Sequence, residues 1–292
     1  MERGNGMEEQ NISILERIHA SYYQLTATER KVADYVLAHS SQVQFMSITQ
    51  LADECGTADA SISRFCRSLK LKGFNAFKLE LAKHTATASV SEFGDGVAAD
   101  TDSLEGRCKE AGRLSQEAVS QTIELVNPED VRRTIDLFEK AGRVLCIGAG
   151  GSMIMAHECV HLFSTVCDKF QIAWDSHMQM SAAAIMKPED VIMLFSYSGA
   201  TTGGLQVLEL AKARGIRTVL VTRFPKSPAA KLADVVLRCG SNESPVQVGT
   251  VSAKVAQLVV MDVLYQEYCY RNREACEENL QNIASALSGM HV

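Results

Sequence analysis

Twice in this chain an unbroken apolar run gives way to a loop of glycines and hydroxyl side chains, and then to a stretch with helical spacing. The first run, 143–147, leads into Gly148-Ala149-Gly150-Gly151-Ser152, and helical periodicity follows from Met153 to Val166. The second, 191–195, leads into Ser196-Tyr197-Ser198-Gly199-Ala200-Thr201-Thr202, followed by the apolar spacing of 205–212. Apolar runs without alternation are the mark of strands buried on both faces, and parallel strands of that kind need helical crossovers. The spacing predicts strands at 143–148, 169–174, 190–196, 217–223 and 233–238, separated by helical stretches. The expected fold of this half is therefore a Rossmann-like α/β doubly wound parallel sheet, which binds ligands at the carboxyl ends of its strands. Asn127-Pro128 reads as an N-cap with proline at the first helical position, placing a helix before the first strand.

Both glycine and hydroxyl loops lie at those carboxyl ends. The free N–H groups of a helix's first turn attract anions. Glycine allows close approach, and short hydroxyls donate without carrying charge. Taken alone, 196–202 reads equally as a phosphate cradle and as a Ser/Thr-rich helix cap. Dinucleotide binding is disfavoured, because Met153 stands where the third glycine of that fingerprint belongs and only Asp175 offers a ribose contact. Neither loop carries Gly-Lys-Ser/Thr, so a nucleoside-triphosphate loop is absent as well. No cofactor is expected.

A chain of 292 residues with 46% apolar content suggests two domains with real cores. No apolar run approaches a bilayer span, and Met1-Glu2-Arg3-Gly4 does not read as a signal peptide. Nine cysteines occur without a CxxC pair, and Cys146 and Cys159 fall inside apolar patterns. They read as buried, reduced thiols of a cytoplasmic protein. The net charge is −6, but Arg64 to Lys83 contains six basic residues and one acid, a net +5 that leaves −11 elsewhere. A short basic segment in an acidic chain points to a local polyanion contact, or else to a solvated helix face.

Around that segment the chain spells three helices. Thr26-Ala27-Thr28-Glu29 and Ser47-Ile48-Thr49-Gln50 are capping boxes, and Gly56 suits the left-handed position of a tight inter-helix turn. The next helix, 59–69, buries Ile62, Phe65, Cys66 and Leu69. It sets Asp59, Ala60, Ser61, Ser63, Arg64 and Arg67 on or beside its exposed face. Small polar groups followed by arginines suit a helix entering the major groove; the alternative is a helical bundle with no DNA role. Lys70 and Lys72 extend the basic surface, and Gly73-Phe74 opens a further helix whose lysines are placed to reach phosphates. The expected organisation is a helix-turn-helix domain at 1–84, a linker at 85–103 and an α/β domain at 104–292, with a long helix from 104 to 126 carrying the linker into the sheet.

With these residues in place, the chain resembles an RpiR-type transcriptional regulator: a helix-turn-helix joined to a SIS (sugar isomerase) domain. The first half matches through Ser47-Ile48, Leu51-Ala52, Gly56, Ser61-Ile62, Arg64-Phe65-Cys66, Leu69, Gly73-Phe74 and Phe77-Lys78. The second matches through Ile147-Gly148, Gly150, Ser152, Asp175, His177, Asp190-Val191, Ser196-Tyr197-Ser198-Gly199, Thr201, Ala256-Gln257-Leu258 and Asp262-Val263-Leu264. The resemblance implies a DNA-binding regulator of carbohydrate metabolism whose SIS domain senses a phosphorylated sugar. It further implies a homodimer or homotetramer, paired largely through helices including 252–273, that reads a palindromic operator. Ser196, Ser198 and Thr201 would hold the phosphate, with Gly150, Gly151 and Ser152 closing over the sugar and His177 shaping the pocket. Two positions depart from the family. Ala58 replaces the usual serine at the cap of the recognition helix, so Asp59 or Thr57 is expected to cap instead. Lys70 replaces the usual glycine in the turn that follows.

Two chemical alternatives are set against this reading. His157-Glu158-Cys159-Val160-His161 is a literal zinc-protease signature, but its helix follows a glycine loop and no downstream His or Glu context recommends a third ligand, so no metal is expected. A sugar-phosphate isomerase with an appended helical domain would need a general base, commonly a glutamate near the final helix. The matching stretch, 248–254, has no carboxylate. No catalytic residue is expected.

Overall fold

The computed structural model describes residues 13–89, 103–241 and 250–290. The chain divides after Gly106 into two compact units, and each is described by itself.

The first unit is helical: α1 (Ile14–Ser21), α2 (Ala27–Ala38), α3 (Ser40–Val43), α4 (Ile48–Glu54), α5 (Asp59–Ser68) and α6 (Phe74–Ser89). Capping boxes open α1, α2 and α4, each with the cap hydroxyl accepting from the third residue's N–H and that residue's side chain returning to the cap N–H. Ile18, Val32, Val36, Leu51, Ile62, Phe65 and Phe77 form a fully buried core, with the Phe65 and Phe77 rings edge to face at 5.6 Å. Helix α6 runs to Ser89, five residues into the stretch expected as linker. The rest of that stretch before Ser103, residues 90–102, lies outside the described residues.

The second unit holds a five-stranded, wholly parallel sheet in the order β2-β1-β3-β4-β5. Its strands are β1 (Val144–Ile147), β2 (Phe170–Ile172), β3 (Val191–Phe195), β4 (Arg217–Thr222) and β5 (Val235–Arg238). Its helices are α7 (Leu104–Leu125), α8 (Pro128–Lys140), α9 (Gly151–Phe163), α10 (Ser176–Ala184), α11 (Thr202–Arg214), α12 (Val251–Arg271) and α13 (Arg273–Leu287). Alternate strand residues feed two separate cores, as a doubly wound sheet requires. Val144, Cys146, Val191, Met193 and Phe195 pack with Phe138, Phe163 and Val260 of α8, α9 and α12. Leu145, Ile147, Ile192 and Leu194 pack with Ala183, Val207 and Leu208 of α10 and α11. Cys146 and Cys159 are fully buried free thiols, and burial pushes the Cys159 thiol well above its usual range. No helix among the described residues is long and apolar enough to cross a membrane.

The strand order has one consequence for function. From β1 the chain crosses to β2 on one side, whereas β3 continues to β4 and β5 on the other. Neighbouring strands β1 and β3, with Ile147 opposite Leu194, therefore flank the topological switch point of the sheet.

Candidate functional site

In the first unit, α4 and α5 form the helix-turn-helix. Gly56 adopts a left-handed φ of +59°, and Thr57 N–H reaches back to the Ala52 carbonyl at 2.8 Å to close α4. Helix α5 turns Ile62, Phe65, Cys66 and Leu69 inward, while Ala60, Arg64, Arg67, Lys70 and Lys72 are exposed and Ser63 is half-buried. Asp59 is half-buried and its carboxylate accepts the Thr49 hydroxyl at 3.0 Å. Ser61 is buried rather than presented outward. It accepts from Arg64 Nη2 at 3.3 Å and lines a cavity of about 280 Å³ together with Thr26, Thr28, Glu29 and Arg64.

Two further expectations need correction here. Ala58 is the N-cap of α5 and no side chain caps the helix: Asp59 is bonded to Thr49, and the Thr57 hydroxyl is buried without a partner. Lys78 does not reach outward for phosphate. Its ammonium donates to the Met46 carbonyl at 2.8 Å and lies over the Phe74 ring, and desolvation pulls its pKa down to about 8. Lys70 takes a left-handed φ of +59°, so the turn keeps the geometry that glycine would adopt there.

In the second unit, both glycine and hydroxyl loops emerge at the switch point. The first is built for close approach. A Cβ on Gly148 would sit 2.6 Å from the Ser152 carbonyl oxygen, and Gly150, at φ +55°, is the N-cap of α9. Gly151 and Ser152 form the opening turn of that helix, half-buried, with Ser152 N–H on the Ala149 carbonyl. Gln179 of α10 is buried and donates to the carbonyls of Gly148 at 2.8 Å and Ala173 at 3.3 Å, fixing the loop from beneath.

The second loop is pinned from several sides. Ser196 is buried, and its Oγ accepts the Gly199 N–H at 3.1 Å. Gly199 has φ +59°, and a Cβ there would fall 2.0 Å from Ser227 Oγ, so no other residue fits. The Tyr197 carbonyl accepts from Thr222 Oγ1 and Arg223 N–H, while its hydroxyl donates to the Ser241 carbonyl at 2.6 Å. Ser198 is exposed, its Oγ accepting from Ala200 N–H at 3.3 Å. Thr201 is the exposed N-cap of α11, yet its hydroxyl makes no cap bond to the helix. Asp175 caps α10 by accepting Met178 N–H at 2.9 Å, which leaves His177 exposed on the helix's first turn.

The HExxH histidines are spent elsewhere. The His157 ring lies 4.9 Å from the Trp174 ring, and His161 Nδ1 lies 3.3 Å from Glu158. No group of three or more His, Cys, Asp or Glu among the described residues is placed to hold a metal ion. Gln179, Tyr197 and Ser227 were not singled out as loop-shaping residues by sequence reasoning. The loop contacts they make span 25 to 44 residues, and no local pattern announces them.

Comparison with known proteins agrees with both halves. The helix-turn-helix domain of the rpiR family matches residues 12–88, and the SIS domain matches residues 137–266. An HTH-type transcriptional regulator of Caldanaerobacter subterraneus is 29% identical over 280 residues, covering 95% of this chain and 96% of its own. The HTH-type transcriptional regulator YbbH of Bacillus subtilis is 27% identical over 276 residues, covering 94% and 97%. Among solved structures, the Vibrio vulnificus NanR protein complexed with ManNAc-6P shares the fold, with a TM-score of 0.85 at 24% identity over 95% of this chain and 99% of its own. The sugar isomerase domain of an RpiR transcription factor from Sphaerobacter thermophilus covers 61% of this chain and 98% of its own, with a TM-score of 0.56 at 21% identity. The chain belongs to the RpiR-type transcriptional regulators, a helix-turn-helix domain followed by a SIS domain.

Proposed function

We propose that this regulator senses a phosphorylated sugar at the β1/β3 switch point and has no isomerase activity of its own. The observation that carries the reading is the convergence of two anion-suited loops at the one place where a doubly wound sheet opens a crevice. The unspent Thr201 hydroxyl favours a cradle over a simple helix cap. Ser198 and Thr201 donate to the phosphate alongside the first-turn amides of α11, and Ser196 shapes the loop that presents them. Gly150, Gly151 and Ser152 close over the sugar, and His177 borders it. The absence of a carboxylate from 248–254 supports sensing over proton transfer. NanR's complex with ManNAc-6P makes that phosphosugar the first member of a panel to test.

The DNA-binding domain, 1–84, reads a palindromic operator in the cytoplasm as a homodimer or homotetramer. Arg64 and Arg67 contact bases, with Ala60, Ser63 and Asp59 at the helix entry and Lys70 and Lys72 on phosphates, while the buried Ser61 accepts from Arg64 behind that surface. Ligand binding acts by favouring one arrangement of the oligomer over another.

A thermal-shift panel of sugar phosphates, followed by calorimetric titration of the best hit, tests the sensor. Ser198→Ala with Thr201→Ala should lower affinity at least about tenfold, because each lost charge-assisted donor is worth roughly 1.5–3 kcal/mol before non-additivity. Equal affinity in wild type and variant would reduce the loop to a helix cap. Interconversion of ketose and aldose phosphates by the purified chain would establish the isomerase reading instead.

A further inference from the structure

Glu29 does more than a capping box asks of it. As the third residue of α2 it returns to the cap, its Oε2 accepting from Thr26 N–H at 2.9 Å and Thr26 Oγ1 at 2.8 Å. The other carboxylate oxygen accepts the Ser68 hydroxyl at 2.7 Å, from the last residue of α5 and 39 positions away in sequence. The side chain is only 8% exposed. Burial alone would raise its pKa, but the hydrogen bonds from Ser68 and Thr26, with the nearby charge of Arg64, hold the carboxyl below its usual range. A buried carboxylate with three donors and a neighbouring cation is a fixed charge with a fixed direction. Arg64 lines the same cavity of about 280 Å³ and donates to Ser61 from there.

We propose that Glu29 is a positioning residue for DNA recognition: it sets the angle of α5 on α2 through Ser68 and the direction of the Arg64 guanidinium through its charge, without touching DNA itself. The inference rests on the reading of α5 as the recognition helix. Its electrostatic signature differs from that of a plain structural acid. Removing a negative charge beside a DNA-binding face should leave sequence-independent affinity unchanged or raise it, since that affinity comes from phosphate neutralisation. Loss of positioning should lower only the sequence-specific part.

The experiment uses the full chain and two duplexes, one selected by the wild-type protein from a random-sequence pool and one of random sequence and equal length. Glu29→Gln keeps the shape and the acceptor for Thr26 N–H while removing the charge. It should weaken binding to the selected duplex at least about tenfold, with random-duplex affinity unchanged or higher. In an Arg64→Ala background the same substitution should add little, because the two residues act as one unit. Ser68→Ala, which keeps the charge and cuts the tie to α5, should show a smaller fall of the same kind and serves if Glu29→Gln does not fold. Parallel loss on both duplexes in step with a lower melting temperature would make Glu29 merely structural and overturn the proposal. So would an unchanged selected-duplex affinity, or full additivity with Arg64→Ala. If Arg64→Ala alone leaves the selected duplex unaffected, the recognition-helix reading fails and this inference falls with it. If Arg64→Ala weakens binding and neither Glu29→Gln nor Ser68→Ala does, only the inference falls.

Discussion

Helices α4 and α5 are neighbours in one motif, yet their ends are built by different means. Helix α4 follows local rules: Ser47 and Gln50 exchange the two bonds of a capping box, and Gly56 takes the left-handed position after its last turn. Helix α5 ends in the same hydrogen-bond pattern, with Leu71 N–H on the Cys66 carbonyl at 3.0 Å as Thr57 N–H lies on Ala52 at 2.8 Å. The left-handed residue there is Lys70, at the same φ of +59° as Gly56. At its start stands Ala58, which has nothing to cap with. The helix that follows local rules is the support. The one that breaks them carries the exposed arginines, and its geometry is held from outside: Thr49 on Asp59, Glu29 on Ser68, and Arg17 of α1 on the Leu69 carbonyl. Local rules tend to give way where a surface is shaped for a partner.

The largest effect that would sharpen this contrast is loss of an outside tie. Arg17 donates from α1 to the Leu69 carbonyl at the C-cap of α5, where a cation also meets the negative end of the helix. Arg17→Ala should cost about 1.5–3 kcal/mol, the range for hydrogen bonds to charged groups. Hydrogen exchange resolved by residue should show the loss at the amides of 69–71 and through α5. The amides of α4 should change less. Equal loosening of both helices would mean that α5 does not depend specially on tertiary ties.

The same contrast explains what could be read in advance. The five strands lie within two residues of their expected bounds, because a strand buried on both faces shows as an apolar run with no help from neighbours. The two switch-point loops were visible for the same reason: glycine and serine between a strand and a helix are a local signal. Helix α1 carries such a signal too, the Ser13–Glu16 capping box around Ile14 with Ile18 one turn on, but it is too short for its apolar spacing to stand out. What local pattern could not supply is side-chain destination. Ser61 sits on a helix face that reads as exposed, but α2 brings Thr26 and Glu29 to the same cavity. Lys78 reads as a phosphate contact until the carbonyl of Met46, 32 residues earlier, is seen to accept its hydrogen bond. The cap expected from Asp59 or Thr57 failed because Asp59 found Thr49 ten residues back. The loop at 196–202 was legible as a strand-to-helix turn, but its mounting on Ser227, Ser241 and Thr222 was not.

A smaller effect follows at the start of α5. Ala58 has the extended backbone of an N-cap, φ −94° and ψ 154°, so a hydroxyl there needs no rearrangement to reach the first-turn amides of Ala60 and Ser61. Ala58→Ser should stabilise the first unit by about 1 kcal/mol. Slower amide exchange at Ala60 and Ser61, the second and third residues of the helix, is the measurement. No change would mean that those amides are already satisfied and that the helix start is not a weak point.

The smallest expected effect tests the two equivalent turns against each other. A left-handed conformation costs a residue with a Cβ roughly 1–2 kcal/mol, and glycine gives back part of that through the greater freedom of the unfolded chain. Lys70→Gly should therefore stabilise by only about 0.5–1 kcal/mol. Gly56→Lys should destabilise by a similar amount, since a Cβ at Gly56 meets no atom within 4 Å and strain is the whole of its cost. Thermal or denaturant melts of the two single variants and of the exchange pair give the comparison, and the pair should come out near neutral. If Lys70→Gly loses stability instead, the lysine side chain holds the turn through a contact that outweighs its backbone strain. Functional cost separates the two as well. Lys70 is exposed beside the arginines, so its removal should reduce the salt dependence of DNA binding by about one counterion. The Gly56 variant should leave that slope alone, because a lysine placed on the support helix's turn does not join the reading face. A steeper slope in Gly56→Lys would show that the turn after α4 also faces the phosphates, and the division between supporting and reading helix would have to be redrawn.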